Sequence, residues 1–344
     1  MEKVCVCAGC RNTNPLKDGL RSGDCSHICT CKEREEKIPI DQGIDQTAAA
    51  IHDKNTSCAT AHRTPAGRPA DDLKAKIIQS IEDLPPMPQV VVRIQHLLAD
   101  LNSDTKQIAK MIESDQAIAA KVLKMANSAF YGMSGKIASI HQASLLLGYQ
   151  TLGEIVTMAG TADLLAGKMP GYGYDSLDLW KHSLSVAFGS KLIAAIKNQD
   201  LIYEAHTAGL IHDVGKIVLD PFIMERKNAI AAYMEQEEKT FLDAERCFFG
   251  FDHAEIASEI CRSWKIPENI TRAIGCHHQP SMSNGDQLSY MLHIADYVAT
   301  MGGIGYDEDD ILYEAEKGAM DFIGLTQEDI GGMIPKIIEA VEQL

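Results

Sequence analysis

The sequence from about residue 72 to its end predicts an all-α fold. Apolar residues recur there at helical spacing, no stretch alternates at period two for long, and Gly and Pro breaks separate the periodic segments. The expected architecture is a two-lobed helical bundle. One lobe is expected at about 72–170, and a second at about 171–344 with acidic carboxy-terminal helices.

The elements follow in order. "LPPMPQVVVRIQHLL" sets prolines before an apolar face at Val91, Ile94, Leu97 and Leu98, a proline-rich entry into a helix. In "DTKQIAKMIESDQAIAAKVLKMANSAFYG", Ile108, Met111 and Ile112 repeat at helical spacing, and so do Ile118, Val122, Leu123 and Ala126. Asn127 and Ser128 read as a helix end whose polar groups bond backbone. A further helix is expected in "SIHQASLLLGYQTLGEIVTMAG", then a Gly/Pro connector, "MPGYGYD".

The second half opens with "SLDLWKHSLSVAFGSKLIAAI", which aligns Leu177, Trp180, Leu184, Phe188 and Leu192 on one side. "YEAHTAGLIHDVGKIVL" predicts a helix broken near Gly215. Asp252 with Glu255 three residues on is a capping-box pattern with Asp252 as N-cap. "SYMLHIADYVATM" lines up Met291, Leu292, Ala295 and Val298, while His293 and Asp296 share another face.

Charge narrows the function. Residues 1–71 carry ten basic and ten acidic side chains, so the formal net charge of −16 falls entirely in residues 72–344. That argues against a nucleic-acid polymer as partner, because phosphate neutralisation needs clustered Lys and Arg. The acidic stretch after Asp307 reads as a solvated helix face. No apolar run is long enough for a membrane span and the first residues lack a signal-peptide pattern, so the expected location is cytoplasmic.

Six of the ten cysteines lie in residues 5–31. Cys7 and Cys10 form C-x2-C, and after fourteen intervening residues Cys25 and Cys29 form C-x3-C, close to the spacing of four-ligand zinc knuckles. Two readings stay open for residues 1–31: a small zinc knuckle, or an unstructured tail with reactive thiols. Residues 32–71 read as a flexible linker. Cys247, Cys261 and Cys276 read as small core residues. "YGMSGK" is no phosphate loop, since Phe130 stands where the first glycine is needed.

The chemistry concentrates in an ordered series: His182, His212–Asp213, His253, His277–His278 and Asp296, each beside apolar residues of an expected helix. A lone histidine on an apolar face is ordinarily a hydrogen-bonded core residue. Separate helices each contributing one or two nitrogen or oxygen donors is instead how bundle metal sites are built. Imidazole with carboxylate suits Fe, Mn, Zn or Ni better than Ca. Asp213 offers two oxygens and could bridge two ions, which together could activate water and clamp a phosphoryl oxygen.

"HDVGK" with its flanking histidines resembles the HD superfamily of metal-dependent phosphohydrolases. "LPPMPQVVVRI", "IESDQAIAAKVLKMANSAFYG", "SIHQASLLLGYQTL", "LWKHSLSVAF" and "FGFDHAEIASEICRSWKIPENITRAIGCHHQP" resemble the HDOD (HD-related output domain) family of bacterial signalling proteins, over roughly residues 72–300. The resemblance implies a helical lobe packed on an HD-like lobe and a role in signal output through a protein partner. It also implies a first ion held by His182, His212, Asp213 and Asp296, and a second held by Asp213, His253 and His277. His278 and Asp178 would extend the site, and Lys216 would face a substrate phosphate. Many HDOD proteins lack part of this ligand set, whereas every position is filled here. The Gly-Tyr-Pro motif of cyclic-di-GMP-degrading relatives is absent from "HHQPSMSNGDQLSYM".

Two functional classes therefore stay open. One is a signalling output module whose metal is structural or vestigial. The other is a metal-dependent phosphohydrolase acting on a nucleotide or other phosphoester, with Asp213 and Lys216 at the reaction centre.

Overall fold

The computed structural model describes residues 69–99, 106–133, 135–237, 239–303 and 315–344. The cysteine-rich segment with Cys7, Cys10, Cys25 and Cys29, and nearly all of the expected linker, lie outside the described residues. The described residues belong to one compact unit. All its regular elements are helices, apart from one antiparallel bridge between Met169 and Tyr174. The all-α class is met. The division into two lobes remains a reading of the sequence.

The amino-terminal helices are α1 (Pro69–Glu82), α2 (Gln89–Ala99), α3 (Lys106–Glu113), α4 (Gln116–Ala126), α5 (Ile140–Leu147) and α6 (Tyr149–Leu165). Their buried faces match the spacing of the apolar residues: Val91 and Ile94 on α2, Ile108 and Ile112 on α3, Ile118, Val122 and Ala126 on α4. Asp115 caps α4 by accepting from the Ala117 and Ile118 N–H groups. Asn127 closes it: its Nδ2 donates to the Leu123 and Ile137 carbonyls, and its Oδ1 accepts from Ile137 N–H.

The later helices are α7 (Asp178–Lys197), α8 (Ile202–Ile211), α9 (Gly215–Met224), α10 (Lys227–Glu237), α11 (Phe241–Phe249), α12 (His253–Ser263), α13 (Glu268–Gly275), α14 (Gln287–Met301), α15 (Ala319–Ile323) and α16 (Gln327–Glu342). The expected single apolar side of α7 is corrected. Leu177 precedes the helix at φ 75° and is 44% exposed, while α7 itself is buried on nearly every side between α8, α14 and α16. Small residues make this central position available. Gly209 of α8 lies directly over the Ala187 backbone, where a Cβ would come within 2.6 Å of the Ala187 N and Cα.

Asp252 does cap α12, accepting from Glu255 N–H. The carboxy-terminal helix α16 is more than a solvated face, because Ile330, Met333, Ile337 and Ala340 are buried and α16 packs on α7. Cys261 is buried as expected, but Cys276 is half-buried and Cys247 is half-buried and disulfide-bonded. No described helix is long and apolar enough to cross a membrane.

Candidate metal centre

The break expected near Gly215 falls at residues 212–214, between α8 and α9. Gly215 permits it: a side chain there would overlap the His253 carbonyl, so only glycine lets α9 start against α12. The turn drives His212 and Asp213 inward. His182 comes from the second turn of α7, His253 from the first position of α12, His277 and His278 from the turn after α13, and Asp296 from α14. His182, His212, Asp213, His253, His277 and Asp296 are all at most 4% exposed.

Two clusters meet at Asp213. On one side, His182 Nε2 lies 3.2 Å from Asp296 Oδ1 and 3.5 Å from Asp213 Oδ2, while His212 Nε2 lies 3.4 Å from Asp213 Oδ1 and 3.6 Å from Asp296 Oδ1. On the other, His253 Nε2 is 3.2 Å and His277 Nε2 is 3.8 Å from Asp213 Oδ1, and His278 Nε2 is 2.8 Å from His253 Nε2. Among the described residues, three groups have donor atoms close enough to share an ion: His182–His212–Asp213, His212–His277–Asp296 and His253–His277–His278. His277 thus neighbours both clusters.

Hydrogen bonds to the outer ring nitrogens orient these donors. His212 Nδ1–H donates to the Gly209 carbonyl at 2.8 Å, His277 Nδ1–H to the Ile274 carbonyl at 2.7 Å, and His253 Nδ1–H to Glu245 Oε2 at 2.8 Å. Each such bond assigns the proton to Nδ1 and turns the Nε2 lone pair toward the carboxylates, as metal-bound histidines are held. His293, three residues before Asp296 on α14, braces His277 by donating Nδ1–H to its carbonyl at 2.7 Å.

The electrostatics agree with a site for cations. Burial would raise the Asp213 carboxyl, but His212 and Lys216 hold it well below the usual carboxylate range. Asp296 is likewise held down, by His182 and His212 against the effect of burial. His253 is pushed up to about 10: burial opposes its charge, and Glu245 and Asp213 outweigh burial. Burial and the charge of His212 push His277 down to about 3.

The residues fit a metal ion on three counts. His277 Nε2, both Asp213 oxygens and Asp296 Oδ1 are buried without a well-aligned hydrogen bond. Their separations suit neighbouring ligands, since donors about 2.1 Å from one ion lie about 3–3.5 Å from each other. The donors are imidazole and carboxylate, the set that suits Fe, Mn, Zn or Ni.

Asp178 is placed otherwise: its Oδ2 accepts from Asp175 N–H at 2.7 Å in the turn before α7. Lys216 is 6% exposed, with Nζ 2.7 Å from Asp213 Oδ2 and 3.4 Å from the Tyr174 hydroxyl. The "MPGYGYD" segment is more than a connector. Paired between Met169 and Tyr174 and held by Asp220 on the Gly171 N–H, it lays Tyr172 and Tyr174 against Lys216, with ring centroids 5.8 and 5.5 Å from Nζ. The Tyr172 hydroxyl donates to Glu245 at 2.6 Å. Sequence reasoning missed Tyr172, Tyr174 and Glu245. Two aromatic residues in a loop and one glutamate on an amphipathic helix carry no periodic signal.

Helices that gather histidines and aspartates around an HD turn define a class, the HD phosphohydrolase-related proteins. Within that class the HDOD domain family matches residues 84–280, more than half of the chain, and the chain belongs to that family. An HDOD domain protein of unknown function from Geobacter sulfurreducens shares 27% identity, covering 79% of this chain and 96% of that one, with a TM-score of 0.64. Two others share the fold. A candidate phosphohydrolase from Shewanella amazonensis SB2B is 23% identical with a TM-score of 0.60, covering 78% of this chain and 97% of that one. A candidate signal transduction protein from Marinobacter aquaeolei VT8 is 22% identical with a TM-score of 0.63, covering 83% of this chain and 66% of that one. An uncharacterized protein of Treponema pallidum (strain Nichols) is 26% identical over 217 residues, 60% of this chain. This chain spans 40% of that relative's length.

Proposed function

We propose that this chain is a bacterial signalling output module that acts through a protein partner in the cytoplasm and keeps an HD-type metal centre as part of its structure. The observation that carries the reading is the burial of the centre. Its ligands are at most 4% exposed apart from the half-buried His278, and Lys216 is turned onto Asp213 beneath two tyrosines. At 1% exposure, Asp213 is closed to a phosphoester in this arrangement of the chain. The likeness to the Marinobacter signal transduction candidate is consistent with this role.

His182, His212, Asp213 and Asp296 would hold one ion, and Asp213, His253, His277 and His278 a second. Bound there, metal would supply positive charge to the buried carboxylates and a Lewis acid for water or phosphate. In this proposal the two lobes meet as a helical layer on an HD-like layer, and the partner binds outside the centre. A zinc knuckle at Cys7, Cys10, Cys25 and Cys29 would be a separate input.

A second reading, a metal-dependent phosphohydrolase, is favoured by the filled ligand set and by Lys216 beside Asp213, where it could offset charge developing on a phosphoryl group. One experiment separates the two. Metal content of the wild-type chain and of His212→Ala/Asp213→Ala is measured by mass spectrometry, beside turnover of bis(p-nitrophenyl) phosphate. The output reading expects Fe, Mn, Zn or Ni lost in the double variant and no turnover by the wild type. Turnover abolished in the double variant would overturn it in favour of the enzyme.

A further inference from the structure

The residues around His253 are built in two adjacent pairs. Gly250, at φ 83°, reverses the chain after α11, and its N–H donates to the Arg246 carbonyl. The reversal brings consecutive residues of α11 onto the N-cap and the first residue of α12. Arg246 Nη2 lies 2.7 Å from Asp252 Oδ2, fixing the N-cap. Glu245 takes the next residue: Oε2 accepts from both the backbone N–H and the Nδ1–H of His253, each at 2.8 Å. Glu245 Oε1 lies 3.0 Å from the same Nδ1 and accepts from the Tyr172 hydroxyl at 2.6 Å.

Glu245 is 1% exposed. A buried carboxylate is costly unless fully partnered, and an apolar side chain would fill the same space at lower cost. Among the described residues, every donor on Glu245 is either His253 itself or Tyr172 from the segment beside the centre. The chain of groups runs from the cover through a carboxylate to an imidazole, and ends with His253 Nε2 3.2 Å from Asp213 Oδ1. A carboxylate on the outer nitrogen fixes ring orientation and makes the inner nitrogen a stronger ligand.

We infer that Glu245 is a positioning residue for the metal centre: with Tyr172 it orients His253, raises its basicity as a ligand and so sets the affinity of the second ion position. Glu245 touches no reacting group and acts through His253. The inference rests on the metal-centre reading above.

The test is titration of the metal-free full-length chain with Co(II) alone. The visible spectrum of Co(II) separates nitrogen and oxygen ligation from ligation by thiolates, so the cysteine segment does not confuse the count. Glu245→Gln keeps the shape but loses the charge, and is expected to weaken nitrogen/oxygen-ligated Co(II) at the second position by about 10–100-fold. Tyr172→Phe leaves Glu245 in place and should weaken it by about 2–5-fold, a small fraction of the same effect. The first position, measured in the same titration, should change less.

A purely structural Glu245 would lower the melting temperature without moving Co(II) affinity, and that result would overturn the inference. If Glu245→Gln fails to fold, unchanged affinity in Tyr172→Phe overturns it instead. Absence of nitrogen/oxygen-ligated Co(II) in the wild type is a different failure. It would remove the metal centre itself, and the positioning role with it.

Discussion

His182 Nε2 and His212 Nε2 lie 3.2 Å apart inside the helical unit, both rings fully buried. The outer nitrogen of His212 already donates its proton to the Gly209 carbonyl. The inner nitrogens therefore need a shared proton or a shared cation between them, with Asp213 and Asp296 adjacent. Metal binding at such a place displaces protons and stabilises the folded chain.

Removing metal should therefore destabilise the protein. A ligand present at about 100 times its Kd contributes about 2.7 kcal/mol. For a unit of this size that corresponds to a fall of roughly 4–6 °C in Tm. Thermal melts with and without EDTA check this, and His212→Ala/Asp213→Ala should show no EDTA effect. An equal shift in both proteins would place the effect elsewhere.

The two close approaches of glycine should be intolerant of a methyl group. Gly209→Ala would drive a Cβ to within 2.6 Å of the Ala187 backbone, separating α8 from α7. Gly215→Ala would meet the His253 carbonyl and shift α12 and its histidine. Each should cost at least about 1–3 kcal/mol, the range for overpacking a tight interface. Urea unfolding measures the loss, and Gly215→Ala should also weaken metal binding because it moves a ligand.

Asn127→Ala should destabilise without touching the centre. Its side chain closes α4 and pins Ile137 through bonds to the Leu123 and Ile137 carbonyls and from the Ile137 N–H. Removing it leaves backbone groups unpaired, for about 1–2 kcal/mol. Metal content should be unchanged, as measured by mass spectrometry.

His206 should make stability sensitive to acid. Burial, aided by the charge of Lys191, pushes its pKa down to about 3, and neither ring nitrogen has a hydrogen-bond partner among the described residues. The unfolded chain takes up a proton near pH 6.5 and the folded chain does not. This contribution is thus fully present above pH 6.5 and is lost as pH falls from there toward 3, at about 1.4 kcal/mol per unit. His206→Leu should flatten the dependence of ΔG on pH between 6 and 4 by about one proton. An unchanged slope in urea melts would refute the assignment.

Much of the fold was legible because local physics dictated it. Period-3.6 apolar residues on α2, α3 and α4, the Asp252 cap and the polar helix end at Asn127 all rest on contacts within a few residues in sequence. The metal-centre candidates were legible for another reason: buried ionisable residues are costly, so a series of them beside apolar neighbours signals a shared purpose.

Other features depend on residues far apart in the chain, and only packing decided them. The one-sided pattern expected of α7 gave way to burial on nearly all sides, because α8, α14 and α16 surround it. Tyr172, Tyr174 and Glu245 became part of the centre only when a loop and α11 folded over α12. Their residue types are ordinary, and their roles come from position in space. By itself the sequence determined an all-α chain with an HD-type set of histidines and aspartates, because periodicity and the cost of buried charge are written residue by residue. Tertiary structure alone decided that Lys216 turns inward onto Asp213 and that tyrosines lie over it, because Lys216 meets Tyr174 across 42 residues of chain.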